Sequence, residues 1–167
     1  ISSDHLIRVH DRTFRPYIRR EEIDDMVSEI AARINADFAG QEVMALVLLK
    51  GAMVFAADLM RRLTMPVTIE VARASSYGNG MTSSGTRVID ALSADVTDRN
   101  VLIIEDIVDT GTTVRDLIKH LGGQQPRSIT VAALLSKPAM HVETLTIDYV
   151  GREIAPDFVV GYGMDYA

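Results

Sequence analysis

The chain has 167 residues, 47% hydrophobic and 24% charged, with a formal charge of −6 and a pI near 5.1. That is enough apolar material for one domain with a buried core, and the acidic balance excludes a general binder of nucleic-acid backbones, which needs a basic face. With no cysteine, disulfides, zinc–thiolate centres and thiol nucleophiles are all excluded.

No apolar run approaches the roughly 18 residues of a membrane span, and the opening Ile1-Ser2-Ser3-Asp4-His5 lacks the pattern of a signal peptide. The expectation is a soluble, cytoplasmic, single-domain protein over residues 1–167. Ile23, Met26, Val27, Ile30, Ile34 and Phe38 recur at three- and four-residue spacing, which predicts a helix over 20–38 stopped by Gly40. Val43–Leu49 is an unbroken apolar run, the pattern of a strand covered on both faces. After Lys50-Gly51, Ala52–Leu63 reads as a helix with Phe55, Leu59 and Leu63 on one face. Val67–Ala72 is a second strand. Ser75–Thr86 (SSYGNGMTSSGT) has only turn chemistry, and so long a polar loop in a compact domain is usually functional or mobile. Val101–Ile104 is a third strand, followed by an acidic loop, Glu105–Gly111, and a helix over Thr112–Leu121 closed by Gly122-Gly123. Ile129–Leu135, Leu145–Val150 and Phe158–Val160 read as further strands. Buried strands alternating with helices predict an α/β domain with a mainly parallel central sheet flanked by helices.

Ligands of such sheets bind beyond the carboxyl ends of the strands, so the segments after strands are the candidates for chemistry. The most specific is VLIIEDIVDTGTT, residues 101–113. A strand delivers Glu105 and Asp106 to the ligand edge, Asp109 follows, and Thr110-Gly111-Thr112-Thr113 opens a helix. Amides at a helix N-terminus, with small hydroxyl side chains and a glycine, make a monophosphate cradle. Adjacent carboxylates suit sugar hydroxyls or a hard cation such as Mg²⁺. Together they describe a site for a phosphorylated sugar. Read singly, each carboxylate is equally a solvated loop residue and Thr112 a plain N-cap. Neither a G-x-x-x-x-G-K-[ST] loop nor a G-x-G-x-x-G turn occurs.

Residues 101–113 resemble the phosphoribosyl-pyrophosphate (PRPP) motif of type I phosphoribosyltransferases. LLKGAMVFAADL (48–59), SSYGNG (75–80), LLSKP (134–138) and DYVGREIAPDFVVGYGMDY (148–166) are similar, in the same order, to the hypoxanthine-guanine branch of that family. The resemblance implies the type I fold with a small hood made by the chain ends, and transfer of a phosphoribosyl group from PRPP to a 6-oxopurine with Mg²⁺.

It also implies roles. Asp109 would be the general base. Glu105 and Asp106 would hold the ribose hydroxyls, directly or through Mg²⁺, and Thr110, Gly111, Thr112 and Thr113 the 5′-phosphate. Lys50 and Gly51 would form the pyrophosphate loop, whose Leu49–Lys50 peptide can be cis in that family. Ser76 and Tyr77 would tip a loop that closes over PRPP. Lys137 would meet the purine 6-oxo oxygen, Phe158 would stack on the base, Val159 would contact its edge, and Asp165 would be a second Mg²⁺ ligand near the purine. A homodimer or homotetramer is implied as well. Two local departures stand out: Arg152 where the family often has Phe, and IAPDF with its proline displaced by one. The four histidines show no ligand spacing and receive no role. Rival readings are a phosphoribosyltransferase for another base, a ligand-sensing regulator on the same fold, and a phospho-acceptor receiver domain. The last is disfavoured because two strands and a long loop precede the acidic pair.

Overall fold

A computed structural model of the chain describes residues 6–75, 88–89 and 95–164. In chain order the elements are β1 (Ile7–Val9), β2 (Arg12–Phe14), α1 (Arg20–Asp37), β3 (Val43–Leu49), α2 (Met53–Met60), β4 (Val67–Ser75), β5 (Val88–Ile89), β6 (Asn100–Val108), α3 (Thr112–Gly122), β7 (Ser128–Ser136), a 3-10 turn (Pro138–Met140) and β8 (Tyr149–Glu153). β1 and β2 form a separate antiparallel hairpin. The main sheet has the order β5-β4-β3-β6-β7-β8, parallel throughout except for β5 at its edge. This is the expected α/β architecture. No described helix is long and apolar enough to cross a membrane.

β3 is apolar on both faces because both are covered. Val43, Ala45 and Val47 pack with Met26, Ile30 and Ile34 of α1 and Phe55 and Leu59 of α2. Met44, Leu46 and Leu48 pack with Val114, Leu117 and Leu121 of α3. Each helix therefore needs apolar residues only on its sheet side, which is why their spacing was legible.

α1 is tied to the far side of the sheet by a polar clamp. The Tyr149 hydroxyl donates to Asp37 Oδ2 at 2.8 Å, and Arg33 lies over the Tyr149 ring at 5.1 Å while donating to Asp148 O at 2.6 Å. Asp148 in turn accepts the Val131 N–H of β7 at 2.8 Å.

Several boundaries differ from the sequence reading, and β4, predicted to end at Ala72, runs on to Ser75. The α2 helix ends at Met60, and Arg62 and Leu63 continue as tightened turns donating to Leu59 O and Met60 O. β6 runs on to Val108, because its ladder with β7 continues through Glu105↔Ala133, Ile107↔Leu135 and Val108↔Ser136. Glu105 and Asp106 are thus strand residues, where two carboxylates had read as loop. The stretch predicted as a strand over Leu145–Val150 is strand only from Tyr149, and runs on to Glu153. Leu145 and Ile147 instead pack as loop against the α3-side core. Phe158–Val160 is not a strand. It follows Pro156, which has no N–H to give a ladder, and a tight turn in which Asp157 N–H donates to Ala155 O at 2.7 Å.

Burial, and next its bond to Asp37, raises the Tyr149 pKa above its ordinary value. Burial and the bond to Asp58 do the same for Tyr162. An unfolded phenol releases its proton near pH 10 while these folded ones retain theirs, so stability is undiminished below about pH 10 and falls as pH rises above it. Urea denaturation between pH 8 and 11 should show that fall, and Tyr149→Phe combined with Tyr162→Phe should flatten it.

Candidate active site

The parallel strands β3, β6 and β7 bring their carboxyl ends to one edge. The β6–β7 ladder closes with one bond past the strands, Lys137 N–H to Val108 O at 2.9 Å. The residue after β6 is Asp109, so Asp109 and Lys137 emerge side by side. Lys137 Nζ reaches Asp109 Oδ1 at 2.7 Å. The lysine side chain is 8% exposed and the aspartate's 51%. An ammonium at that depth needs a countercharge, and Asp109 supplies it while keeping its outer side open to the cleft.

Across the edge, Gly51 opens the turn from β3 to α2. A Cβ built on Gly51 would lie 2.2 Å from Asp106 Oδ2 and 2.8 Å from its Cγ, so glycine here is what lets the Asp106 carboxylate fit. Asp106 is 8% exposed. The Leu49–Lys50 peptide is cis, in keeping with the resemblance. Lys50 is exposed and does not line the cleft, whereas Gly51 does.

The third wall is the start of α3. Gly111 is its N-cap at φ +78°, a left-handed conformation that suits glycine, and a side chain there would meet Leu145 Cδ2 at 2.9 Å. Arg115 N–H donates to Gly111 O at 2.9 Å, closing the first turn. The Thr110 hydroxyl donates to Thr112 Oγ1 at 3.1 Å. Thr110, Gly111 and Thr113 line the cleft, and Thr112 does not.

The cleft between these walls has a volume of about 530 Å³. Its lining is mixed: Glu105, Asp109, Thr110, Thr113 and Lys137 are polar, and Leu49, Ile107, Met140, Pro156 and Phe158 are apolar. Phe158 is 51% exposed. The N-terminal hairpin meets it here, with Phe14 at 6.2 Å between ring centroids and the Arg12 guanidinium 5.7 Å from the Phe158 ring. Val159 lies apart, partly buried against the α1–α2 core. The shape suits a ligand with an anionic sugar-like part and a flat, partly apolar ring.

No cluster of three or more His, Asp or Glu side chains converges for a metal among the described residues. Glu105 and Asp106 together offer two carboxylates, with Asp106 N–H donating to Glu105 Oε1 at 3.2 Å. That donor set fits Mg²⁺, which is commonly held by one or two carboxylates plus ligand oxygens and water. Ser76, Tyr77 and Asp165 lie outside the described residues, as does most of the predicted loop.

The sequence reading had each of Asp109 and Lys137 but not their pairing, which joins residues far apart in the chain. It also passed over Met140 and Pro156 in the cleft and Leu145 behind Gly111. Only an apolar residue close after a lysine–proline pair hinted at Met140.

The family model described as "Phosphoribosyl transferase domain" matches residues 19–167. The chain is 39% identical over 153 residues to the hypoxanthine-guanine phosphoribosyltransferase of Mycobacterium avium, covering 87% of this chain and 75% of that one. It is 37% identical over 158 residues to the hypoxanthine phosphoribosyltransferase of Buchnera aphidicola, covering 93% and 89%. Among solved structures it is similar to a hypoxanthine-guanine phosphoribosyltransferase of Bacillus anthracis, with a TM-score of 0.85, 38% identity and coverage of 91% and 90%.

Gly51→Ala tests the geometry of the acidic wall. Overpacking a site this close should destabilise the fold by about 1–3 kcal/mol, read as a lower urea midpoint, and a crystal structure should show the Asp106 carboxylate displaced.

Proposed function

The chain belongs to the phosphoribosyl transferase family, and from that premise we propose the following reading of its site. It is a purine-salvage enzyme that transfers the 5-phosphoribosyl group from PRPP to hypoxanthine or guanine, giving the nucleoside 5′-monophosphate and pyrophosphate. The observation that carries the assignment is the Lys137–Asp109 pair, in a cleft lined also by Thr110, Gly111 and Thr113 at the start of α3 and by Phe158.

The 5′-phosphate sits at the first turn of α3, on backbone amides and the hydroxyls of Thr110, Thr112 and Thr113, where the helix dipole favours an anion. Glu105 and Asp106 receive the ribose hydroxyls and would hold Mg²⁺, which would supply charge neutralisation for the departing pyrophosphate. Two carboxylates beside a ribosyl group that becomes positive in the transition state stabilise it electrostatically. Gly51, with Lys50 beside it, leaves room for pyrophosphate next to Asp106. The resemblance assigns Ser76 and Tyr77 to the pyrophosphate side of PRPP, and Asp165 to a second cation.

The base lies on Phe158, with Val159 offering its backbone to the base edge. The hood over it is formed by the hairpin of β1 and β2 and the segment carrying Phe158. As a purine ring nitrogen attacks C1′, Asp109 takes the proton from the imidazole ring. An ammonium has three hydrogens to donate. Lys137 can therefore keep Asp109 and still donate to a 6-oxo oxygen, which an adenine amino group cannot accept. As part of the same proposal, the chain works in the cytoplasm as a homodimer or homotetramer.

Pyrophosphate release from PRPP, assayed with hypoxanthine, guanine, xanthine and adenine in turn, tests the reading; release with adenine alone would refute it. Asp109→Asn keeps the shape and loses the basicity, so turnover should fall by about a hundredfold or more with PRPP affinity retained. Lys137→Ala should raise the purine KM about ten- to a hundredfold, the worth of a charge-assisted hydrogen bond, and leave that for PRPP nearly unchanged. Steady-state kinetics in both substrates checks the two together.

A further inference from the structure

After Lys137 the chain makes one 3-10 turn, in which Met140 N–H donates to Lys137 O at 2.9 Å and His141 N–H to Pro138 O at 3.2 Å. The turn brings His141 back to the strand end, where its Nε2 lies 3.3 Å from the Ser136 hydroxyl. Ser136 is 2% exposed, and a hydroxyl at that depth needs a partner. The residues bracketing Lys137 are thus stapled to each other by one side-chain hydrogen bond, with the lysine inside the closed loop. From His141 the chain passes to the phosphate side. Val142 N–H donates to Thr110 O at 3.2 Å, Glu143 pairs with Arg115 of α3 at 2.9 Å, and Leu145 packs at Gly111.

We propose that His141 is a positioning residue for the reaction: bonded to the buried Ser136 hydroxyl, it fixes the turn from which Lys137 reaches the base. The inference rests on the assignment of Lys137 to the purine. His141 does not line the cleft, so it acts through the lysine. A lysine side chain has four rotatable bonds, and Asp109 holds its tip whichever way the backbone sits. What a loosened turn loses is the direction of the remaining N–H donors, and these are what a 6-oxo oxygen would use. The phosphate cradle is less exposed to such loosening, because α3 closes its own first turn through Arg115 and Gly111.

The test is steady-state kinetics of His141→Ala, Ser136→Ala, His141→Gln and Lys137→Ala with hypoxanthine and PRPP. Either alanine variant at the staple should raise the hypoxanthine KM about two- to tenfold, the span of one neutral hydrogen bond. The PRPP KM should stay within about twofold, since the cradle keeps its own closure. His141→Gln, whose side-chain amide can meet the serine hydroxyl, should recover most of the loss. Ser136→Ala removes a single oxygen and carries the test should His141→Ala not fold. The inference is overturned if Lys137→Ala raises the hypoxanthine KM and the staple variants do not, or if they only lower kcat with both KM values unchanged, as a smaller folded fraction would. If Lys137→Ala itself leaves the hypoxanthine KM unchanged, the purine assignment has failed and this inference falls with it.

Discussion

The site depends on the register between β6 and β7. Their ladder pairs Val108 with Ser136, and the following bond, Lys137 N–H to Val108 O at 2.9 Å, leaves Asp109 and Lys137 as neighbours leaving the sheet. A one-residue slip would turn each strand's apolar set to the wrong face, and both faces are filled, by α1 and α2 on one side and α3 on the other. Core packing therefore fixes the register, and the register brings the Asp109 carboxylate and the Lys137 ammonium to 2.7 Å. A half-exposed carboxylate and a buried ammonium form an asymmetric pair: the lysine is held in place and the aspartate faces the cleft.

Around that pair, close contacts set the remaining walls. Gly51 admits Asp106, and Gly111 admits Leu145 while taking a left-handed turn into α3. Both glycines stand where the chain turns from a strand end into a helix, so the elements that build the sheet also aim its edge at one cleft. In a protein with a formal charge of −6, the proposed phosphate binding draws on positive potential that is local, from helix amides rather than a basic surface.

Much of this was legible in the sequence. The buried strand Val43–Leu49 matched to the residue, since an apolar run covered on both sides admits no other placement. The helices over Arg20–Asp37 and Thr112–Gly122 followed their apolar spacing to within a residue or two. The acidic segment 101–113 located the cleft, although Glu105 and Asp106 belong to β6 itself: Glu105 lines the cleft, whereas Asp106, the next residue along the strand, is buried against Gly51. Phe158–Val160 looked like a strand by composition, but its apolar residues line the cleft or cap the α1–α2 core without a ladder. The pairing of Asp109 with Lys137, and the His141–Ser136 staple, were not legible, because both depend on where a parallel register and a short turn return the chain.

The central claim is that Asp109 and Lys137 act as one unit. A double-mutant cycle on kcat/KM for the purine, using Asp109→Asn, Lys137→Ala and the double variant, measures that most directly. The pair as described predicts a double variant less impaired than the product of the two single losses, with a coupling of about 0.5–3 kcal/mol. Losses that simply multiply would show that the two residues act independently and would contradict it.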